Sequence, residues 1–317
     1  MTATTASAPT FAWRAFLQRY GLLLILGVLV TVISLREPRF LSVDNAINIL
    51  RQATDTGIIA IGMMLVILTR GIDLSVGSIL AVTTLITADQ LRSGLPALPA
   101  LLVCLGIGAL LGLVNGLLVS RVGIPPFIAT LGMMVAGRGL ALQISGGKPI
   151  SELGEDFRQI GTGFVGAIPI PVIIVALIVV AGFILLNYTV LGRRIFALGD
   201  NERAAFLTGI PVKTIQTLVY VISGALASLA GAILMARLGS APTNIGEGIE
   251  FDAIAAVVVG GTSFAGGEGT IWGTVLGVLI IEVLNSGINV LNISSYTQGV
   301  VQGVVIALAL LLHRALR

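Results

Sequence analysis

The chain has 317 residues, of which 56% are hydrophobic and 10% are charged, and its mean hydropathy is +1.04. A water-soluble domain carries roughly 25% charged residues, so a soluble globular core is excluded. The net charge of +3 is no sign of nucleic acid, because the basic residues are scattered near the ends of apolar runs, where membrane topology explains them.

The apolar segments in chain order are 20–35, 57–69, 76–88, 97–119, 127–144, 171–191, 214–238, 251–261, 271–291 and 297–312. They predict an all-α polytopic membrane protein of about ten transmembrane helices. Arg14 and Arg19 precede the first run, and Ser34-Leu35-Arg36-Glu37 offers no small-residue cleavage site, so the first segment is expected to be a retained helix. The segments 57–69, 76–88 and 251–261 are too short to cross a core of ~30 Å at 1.5 Å per residue. The first of them either extends back through 45–56 or is a broken, re-entrant element.

Glycine is abundant, and Gly108, Gly112 and Gly116, like Gly273 and Gly277, fall at the spacing that lets helix backbones approach closely in lipid. Two glycine-rich segments interrupt the apolar pattern, at 71–78 and 260–270. Irregular backbone at membrane depth is tolerated only where protein or an aqueous cavity covers it. The first segment therefore lines a pathway or forms a surface turn, and the second reads as a cytoplasmic hairpin. Gly71-Ile72-Asp73 and Gly248-Ile249-Glu250-Phe251-Asp252 open spans of opposite orientation, which makes an inverted repeat possible.

Polar residues inside the spans are the candidates for a translocation pathway: Asp55, Asp73, Ser75, Asn115, Arg138, Gln143, Glu282 and Asn285. A charge at the bilayer centre costs at least ~2.5 kcal/mol, so such a group faces protein or water. For any one of them the competing role is hydrogen-bonding glue between helices. Arg51 and Asp55 are spaced to pair along one helix face, and Glu282, Asn115 and Asp55 are the candidate partners of Arg138.

The 192–213 loop is polar and basic and lies between two long apolar runs. Within it Asp200-Asn201-Glu202-Arg203-Ala204-Ala205-Phe206-Leu207 predicts a short helix. Asp200 or Asn201 can cap it, and Gly209 followed by Pro211 ends it. Placing the N-terminus inside sets Arg14, Arg19, Arg70, Arg121, Arg193, Arg194, Arg203, Lys213, Arg314 and Arg317 on the cytoplasmic side. Arg36, Arg39, Arg51, Arg92, Lys148, Arg158 and Arg237 then lie outside. The expected organisation is a tail at 1–19, a membrane domain at 20–312 with the 192–213 loop cytoplasmic, and a tail at 313–317.

Enzyme chemistry finds little support. The single Cys104 lies in an apolar run and the single His313 near the chain end, so neither a disulfide nor a His-based centre can be built. Gly161-Thr162-Gly163-Phe164-Val165-Gly166 matches a dinucleotide fingerprint, but no strand precedes it. No GxxxxGK[ST] motif occurs, so the chain carries no P-loop of its own. No cofactor and no metal are expected.

Three motifs carry a resemblance. The stretch 62–78, Gly62-Met63-Met64-Leu65-Val66-Ile67-Leu68-Thr69-Arg70-Gly71-Ile72-Asp73-Leu74-Ser75-Val76-Gly77-Ser78, resembles the signature of bacterial sugar ABC-importer permeases of the ribose type. Ala197-Leu198-Gly199-Asp200-Asn201-Glu202 and the stretch 252–263, from Asp252 to Ser263, are similar to later motifs of the same family and occur in its order. The resemblance runs from about residue 20 to the C-terminus. It implies a homodimeric pore in the inner membrane, a cytoplasmic ATP-binding cassette subunit and a periplasmic sugar-binding protein. The loop 193–213 then corresponds to the coupling region, with Asp200, Asn201, Glu202, Arg203, Ala204 and Phe206 as its contact residues. Family members carry ribose, xylose, galactose-type sugars, autoinducer-2 and related polyols. The alternative is an ion-coupled secondary transporter of a small polar solute, in which a capped cytoplasmic helix would serve no purpose.

Overall fold

The computed structural model describes residues 13–294 together with 299–300 and 303–304. The expected last span at 297–312, most of the N-terminal tail and the tail at 313–317 therefore lie largely or wholly outside the described residues. The helices are α1 (Trp13–Arg36), α2 (Val43–Leu68), α3 (Val76–Arg92), α4 (Ala97–Leu117), α5 (Pro126–Ser145), α6 (Glu155–Thr162), α7 (Ile170–Tyr188), α8 (Val190–Asp200), α9 (Glu202–Leu207), α10 (Val212–Leu238), α11 (Ile249–Val259) and α12 (Ile271–Val290). A short 3-10 turn, Pro38–Leu41, precedes α2, and a π-helical turn, Leu118–Val122, ends α4. Four two-residue strands pair as β1 (Ile150–Ser151) with β4 (Ser240–Ala241), and β2 (Phe164–Val165) with β3 (Ile168–Pro169), both antiparallel.

Among the described residues, six helices are long and apolar enough to cross a bilayer: α2, α4 with its π turn, α5, α7, α10 and α12. This establishes a polytopic all-α membrane protein. The apolar part of α1, Tyr20–Arg36, is shorter, and α3 and α11 run for only 17 and 11 residues. At 1.5 Å per residue α11 covers about 17 Å, half of a hydrocarbon core. Among the described residues, length and composition alone therefore support six full spans.

The doubtful second span is resolved by extension: α2 is a single helix of 26 residues. Ser42 caps it by accepting from the Asn45 amide at 3.2 Å. Its polar first half, with Asn45, Asn48, Arg51, Gln52 and Asp55, hid its true start from a hydropathy reading.

Three long helices form the interior. The most apolar stretches of α2, α10 and α12 are 78%, 61% and 72% buried within the protein, against 22%, 22% and 17% for α4, α5 and α7. The exposed faces of the second group carry Leu102, Leu110, Phe127, Val135, Leu177 and Ile184, the composition that lipid tolerates. The glycine spacing works inside the chain. Gly108, Gly112 and Gly116 of α4 lie against the α10 backbone, and a Cβ on Gly116 would come within 2.8 Å of Thr217 Cα. Gly273 and Gly277 of α12 likewise leave room only for the backbone of α11 at Gly260 and Ala256.

The first interrupted segment, 71–78, leads from the long α2 into the short α3, and the second, 260–270, leads from the short α11 into the long α12. The two short helices begin against each other in the interior: a side chain on Gly77 would collide with the Glu250 carboxylate and the Gly246 carbonyl. From that meeting point α11 runs toward the loop that packs on α8, while α3 runs the other way.

Candidate functional site

On the side of the 192–213 loop, two helices form rather than one. α8 accounts for the residues through Asp200, a helix the sequence reading did not include, and α9 follows directly. Asn201 caps α9 by accepting from the Ala204 amide at 3.0 Å. Gly209, at φ +81°, closes it, with its own amide bonded to Phe206 O at 3.0 Å and that of Ile210 to Ala205 O at 3.1 Å. Ala205 faces inward, whereas Phe206 and Leu207 are exposed on the outer face.

The α8–α9 pair is fastened to the interior through the end of α2. Arg70 adopts a left-handed backbone at φ +62°, a place usually given to glycine. Its side chain reaches Gly199 O through Nε at 2.7 Å and Asp200 O through Nη2 at 2.6 Å. The second glycine segment joins the same knot, since the Gly267 amide donates to Leu68 O at 3.1 Å. Beside the knot lies a cavity of about 970 Å³, lined by Arg70, Arg121, Asn201, Glu202, Arg203, Phe206, Lys213 and Tyr220 among others.

The candidate pathway residues divide into three groups. Asp73, Ser75 and Asn115 form one closed junction. Asp73 Oδ1 accepts from the Ser75 amide at 3.0 Å and from the Ser75 hydroxyl, and its Oδ2 accepts from Ser223 Oγ at 2.9 Å. Asn115 Nδ2 donates to Ser75 Oγ at 2.7 Å. The 71–78 segment is therefore a buried joint between α2, α3, α4 and α10 rather than a surface turn. Of its residues, Gly71 alone touches the large cavity.

The second group is Arg138. None of Glu282, Asn115 and Asp55 is its partner: it donates to the carbonyls of Ile245 and Gly246 at 2.8 Å each. It thus holds the segment that enters α11 against α5. Gln143 is exposed near the end of α5 and lines neither cavity.

The third group gathers far from α9. Asp55 pairs with Arg237 of α10 rather than with Arg51; Arg51 instead lies over the Phe164 ring, 4.9 Å from its centroid. Glu282 accepts from the Thr56 hydroxyl. Asp55, Thr56, Arg237, Glu247, Asp252, Glu282 and Asn285 border a second cavity of about 240 Å³. Arg237 lies 25 residues along α10 from its start beside α9, or about 37 Å of helix. Sequence reasoning had placed Arg237 outside as a topology charge, and a lone arginine in the last turn of a long helix gave no signal of a buried partner.

With this geometry in view, the similarities to known proteins can be interpreted. The family described as "Branched-chain amino acid transport system / permease component" matches residues 45–310. The chain belongs to this permease family. It is 48% identical to the ribose import permease of Bacillus subtilis, over 94% of this chain and 93% of that protein. It is 45% identical to the ribose import permease of Escherichia coli K12, over 98% of both. The D-allose transport permease of the same bacterium is 40% identical over 96% of this chain and 94% of its own length. No solved structure matches the chain significantly. As a permease it is a multi-pass transport component and not an enzyme, and the family sets aside a secondary transporter working alone.

Proposed function

We propose that the chain is the membrane subunit of an ATP-driven importer of ribose or a closely related monosaccharide, seated in a bacterial inner membrane. Near-full-length similarity to ribose import permeases carries this reading; the allose relative supports the broader class of aldoses. The same reading supplies a cytoplasmic ATP-binding cassette subunit, an external sugar-binding protein and a second copy of this chain as partners. α1, α3, α11 and a last span complete the expected ten elements, with both termini and the 192–213 loop on the cytoplasmic side. The domain limits are those expected from sequence, 1–19, 20–312 and 313–317.

In this scheme α9 is the docking element. Asp200, Asn201, Glu202, Arg203, Ala204 and Phe206 present it, and the Arg70 knot transmits its movement to α2. The route for solute runs past Asp55, Glu282 and Asn285. Asp73, Ser75, Asn115 and Arg138 shape the joint between the half-helices, about which the long helices rock, and Gln143 is left off the route.

The test is reconstitution of the chain in proteoliposomes with a ribose-type ATP-binding cassette subunit and a ribose-binding protein. ATP-dependent ribose uptake is expected, and replacing Glu202-Arg203-Ala204 by glycines should abolish uptake and its coupling to ATP hydrolysis while insertion persists. Uptake by this chain alone under an ion gradient would contradict the proposal.

A further inference from the structure

The larger cavity, beside α9, carries an imbalance of charge that the docking role of α9 leaves unexplained. Four cations from four different elements line its volume of about 970 Å³. They are Arg70 just after α2, Arg121 in the π turn that ends α4, Arg203 of α9 and Lys213 at the start of α10. Among the described residues Glu202 is the one carboxylate in these walls. The ion pairs among the described residues are Asp89–Arg92, Glu155–Arg158 and Asp55–Arg237, so none of the four cations has a carboxylate partner. A general excess of basic residues on this side accounts for their presence but not for their convergence. Arg193 and Arg194 of the neighbouring α8 line no part of the cavity. Like charges gathered in one concavity focus a field that draws an anion.

The backbone that carries these cations is pinned in place. Thr217 Oγ1 donates to Lys213 O at 2.9 Å, so it accepts from Ser120 Oγ at 2.7 Å. That bond ties the π turn next to Arg121 onto the start of α10. Arg70 is held by the carbonyls of Gly199 and Asp200.

We propose that this cavity binds a phosphate-bearing anion from the cytoplasmic side, and that its occupancy slows the ATP-driven cycle. The proposal rests on the reading of the chain as an ATP-coupled permease docked through α9, and adds a regulation to it. Phosphate matches the walls, because its oxygens accept from arginine forks bidentately and from a lysine as a point charge. The volume lies within the ~300–1,000 Å³ of small-molecule sites and exceeds the need of a bare phosphate, so the group arrives on a larger body. The regulatory consequence follows from which elements the walls join. Arg203 belongs to the docking helix, Arg121 to the turn between α4 and α5, and Gly71 to the entry of the α2–α3 joint. An anion spanning them ties together parts that must shift against one another as the long helices rock. Two sources of such a group meet this face, a soluble sugar phosphate and an anionic lipid headgroup.

The experiment uses the assembly of permease and ATP-binding cassette subunit in phosphatidylcholine nanodiscs, where both faces are accessible. The nucleotide-free assembly is titrated calorimetrically with ribose 5-phosphate and with inorganic phosphate. ATP hydrolysis stimulated by the ribose-loaded binding protein is then measured at the same concentrations. Binding of ribose 5-phosphate that weakens about tenfold in Arg121→Gln, less in Arg121→Lys, is the expected result. A several-fold slowing of hydrolysis should weaken in parallel, while Arg121→Gln without anion hydrolyses ATP at the normal rate. Lys213→Gln serves if Arg121→Gln folds poorly. Nanodiscs that include phosphatidylglycerol form the second arm: Arg121-dependent slowing there, with no effect of the soluble phosphates, assigns the site to a lipid headgroup. Binding that Arg121→Gln leaves intact places the anion on the ATPase and overturns the proposal, as does absence of both binding and a lipid effect. Binding without slowing would overturn the regulatory role. If Arg121→Gln instead weakens capture of the ATPase subunit, the cations serve that partner, and the proposal falls while the permease reading stands. Absence of ribose-stimulated hydrolysis under every condition would overturn the permease reading, and the titration would still decide the site.

Discussion

Two buried carboxylates, Asp73 and Asp55, look alike in sequence and differ in what surrounds them. Both are almost completely buried within the polytopic core. Asp73 has donors on both oxygens, all from residues that pack around the α2–α3 joint. Asp55 is paired on one oxygen only, its other oxygen has no hydrogen-bond partner, and the residue lines the smaller cavity. A satisfied carboxylate can serve as a rivet, whereas a half-satisfied one beside a cavity is available to a visitor. Burial alone does not separate the two roles; hydrogen-bond accounting does.

Substitutions should separate the two regions. Asp73→Ala removes the acceptor of three donors and should cost about 3 kcal/mol or more of stability. A large fall in the thermal midpoint of the purified protein, or loss of a monodisperse species, is the expected readout. Unchanged melting would show that the joint is not held there. Arg138→Leu should have an effect of the same size. Two carbonyl bonds from a charged donor are lost, at about 1.5–3 kcal/mol each, so stability and transport should fall together. Loss of transport with normal melting would move Arg138 from the joint to the route.

Asn285→Ala should behave in the opposite way to Asp73→Ala. Its carbonyl oxygen has no partner and its side-chain amide serves Asp252 alone, so the loss of one hydrogen bond should keep its melting shift within about 1.5 kcal/mol while ribose uptake falls about tenfold, the equivalent of ~1.4 kcal/mol in transition-state terms. The smallest effect is expected for Ser223→Ala, which takes one of three donors from Asp73 and should cost about 1 kcal/mol, with uptake per folded molecule unchanged.

Local rules made some of this legible in the sequence. The α9 helix was readable because a cap at Asn201, a left-handed stop at Gly209 and Pro211 are short-range signals. The apolar stretches and the two glycine breaks were readable for the same reason. Pairing was not. Asp55 and Arg237 are 182 residues apart, and the nearer Arg51 offered a locally plausible partner that the fold turns toward Phe164. The acceptors of Arg138 are backbone carbonyls, which leave no residue-type signature. α8 was missed because the arginines at 193 and 194 made a polar loop of what is an amphipathic helix, with Ile195 and Leu198 buried.

The distinction between a closed joint and an open cavity can be measured directly in a Cys104→Ala background. Ser78→Cys lies in the joint, where Ser78 Oγ donates to Ser75 O at 2.9 Å and Gly137 packs against it; Gln52→Cys lies on the cavity wall. Alkylation of both by a small water-soluble maleimide, in folded protein without nucleotide, should proceed readily at position 52 and negligibly at position 78. Equal rates, or faster reaction at position 78, would contradict the assignment of the joint as structure and the cavity as site.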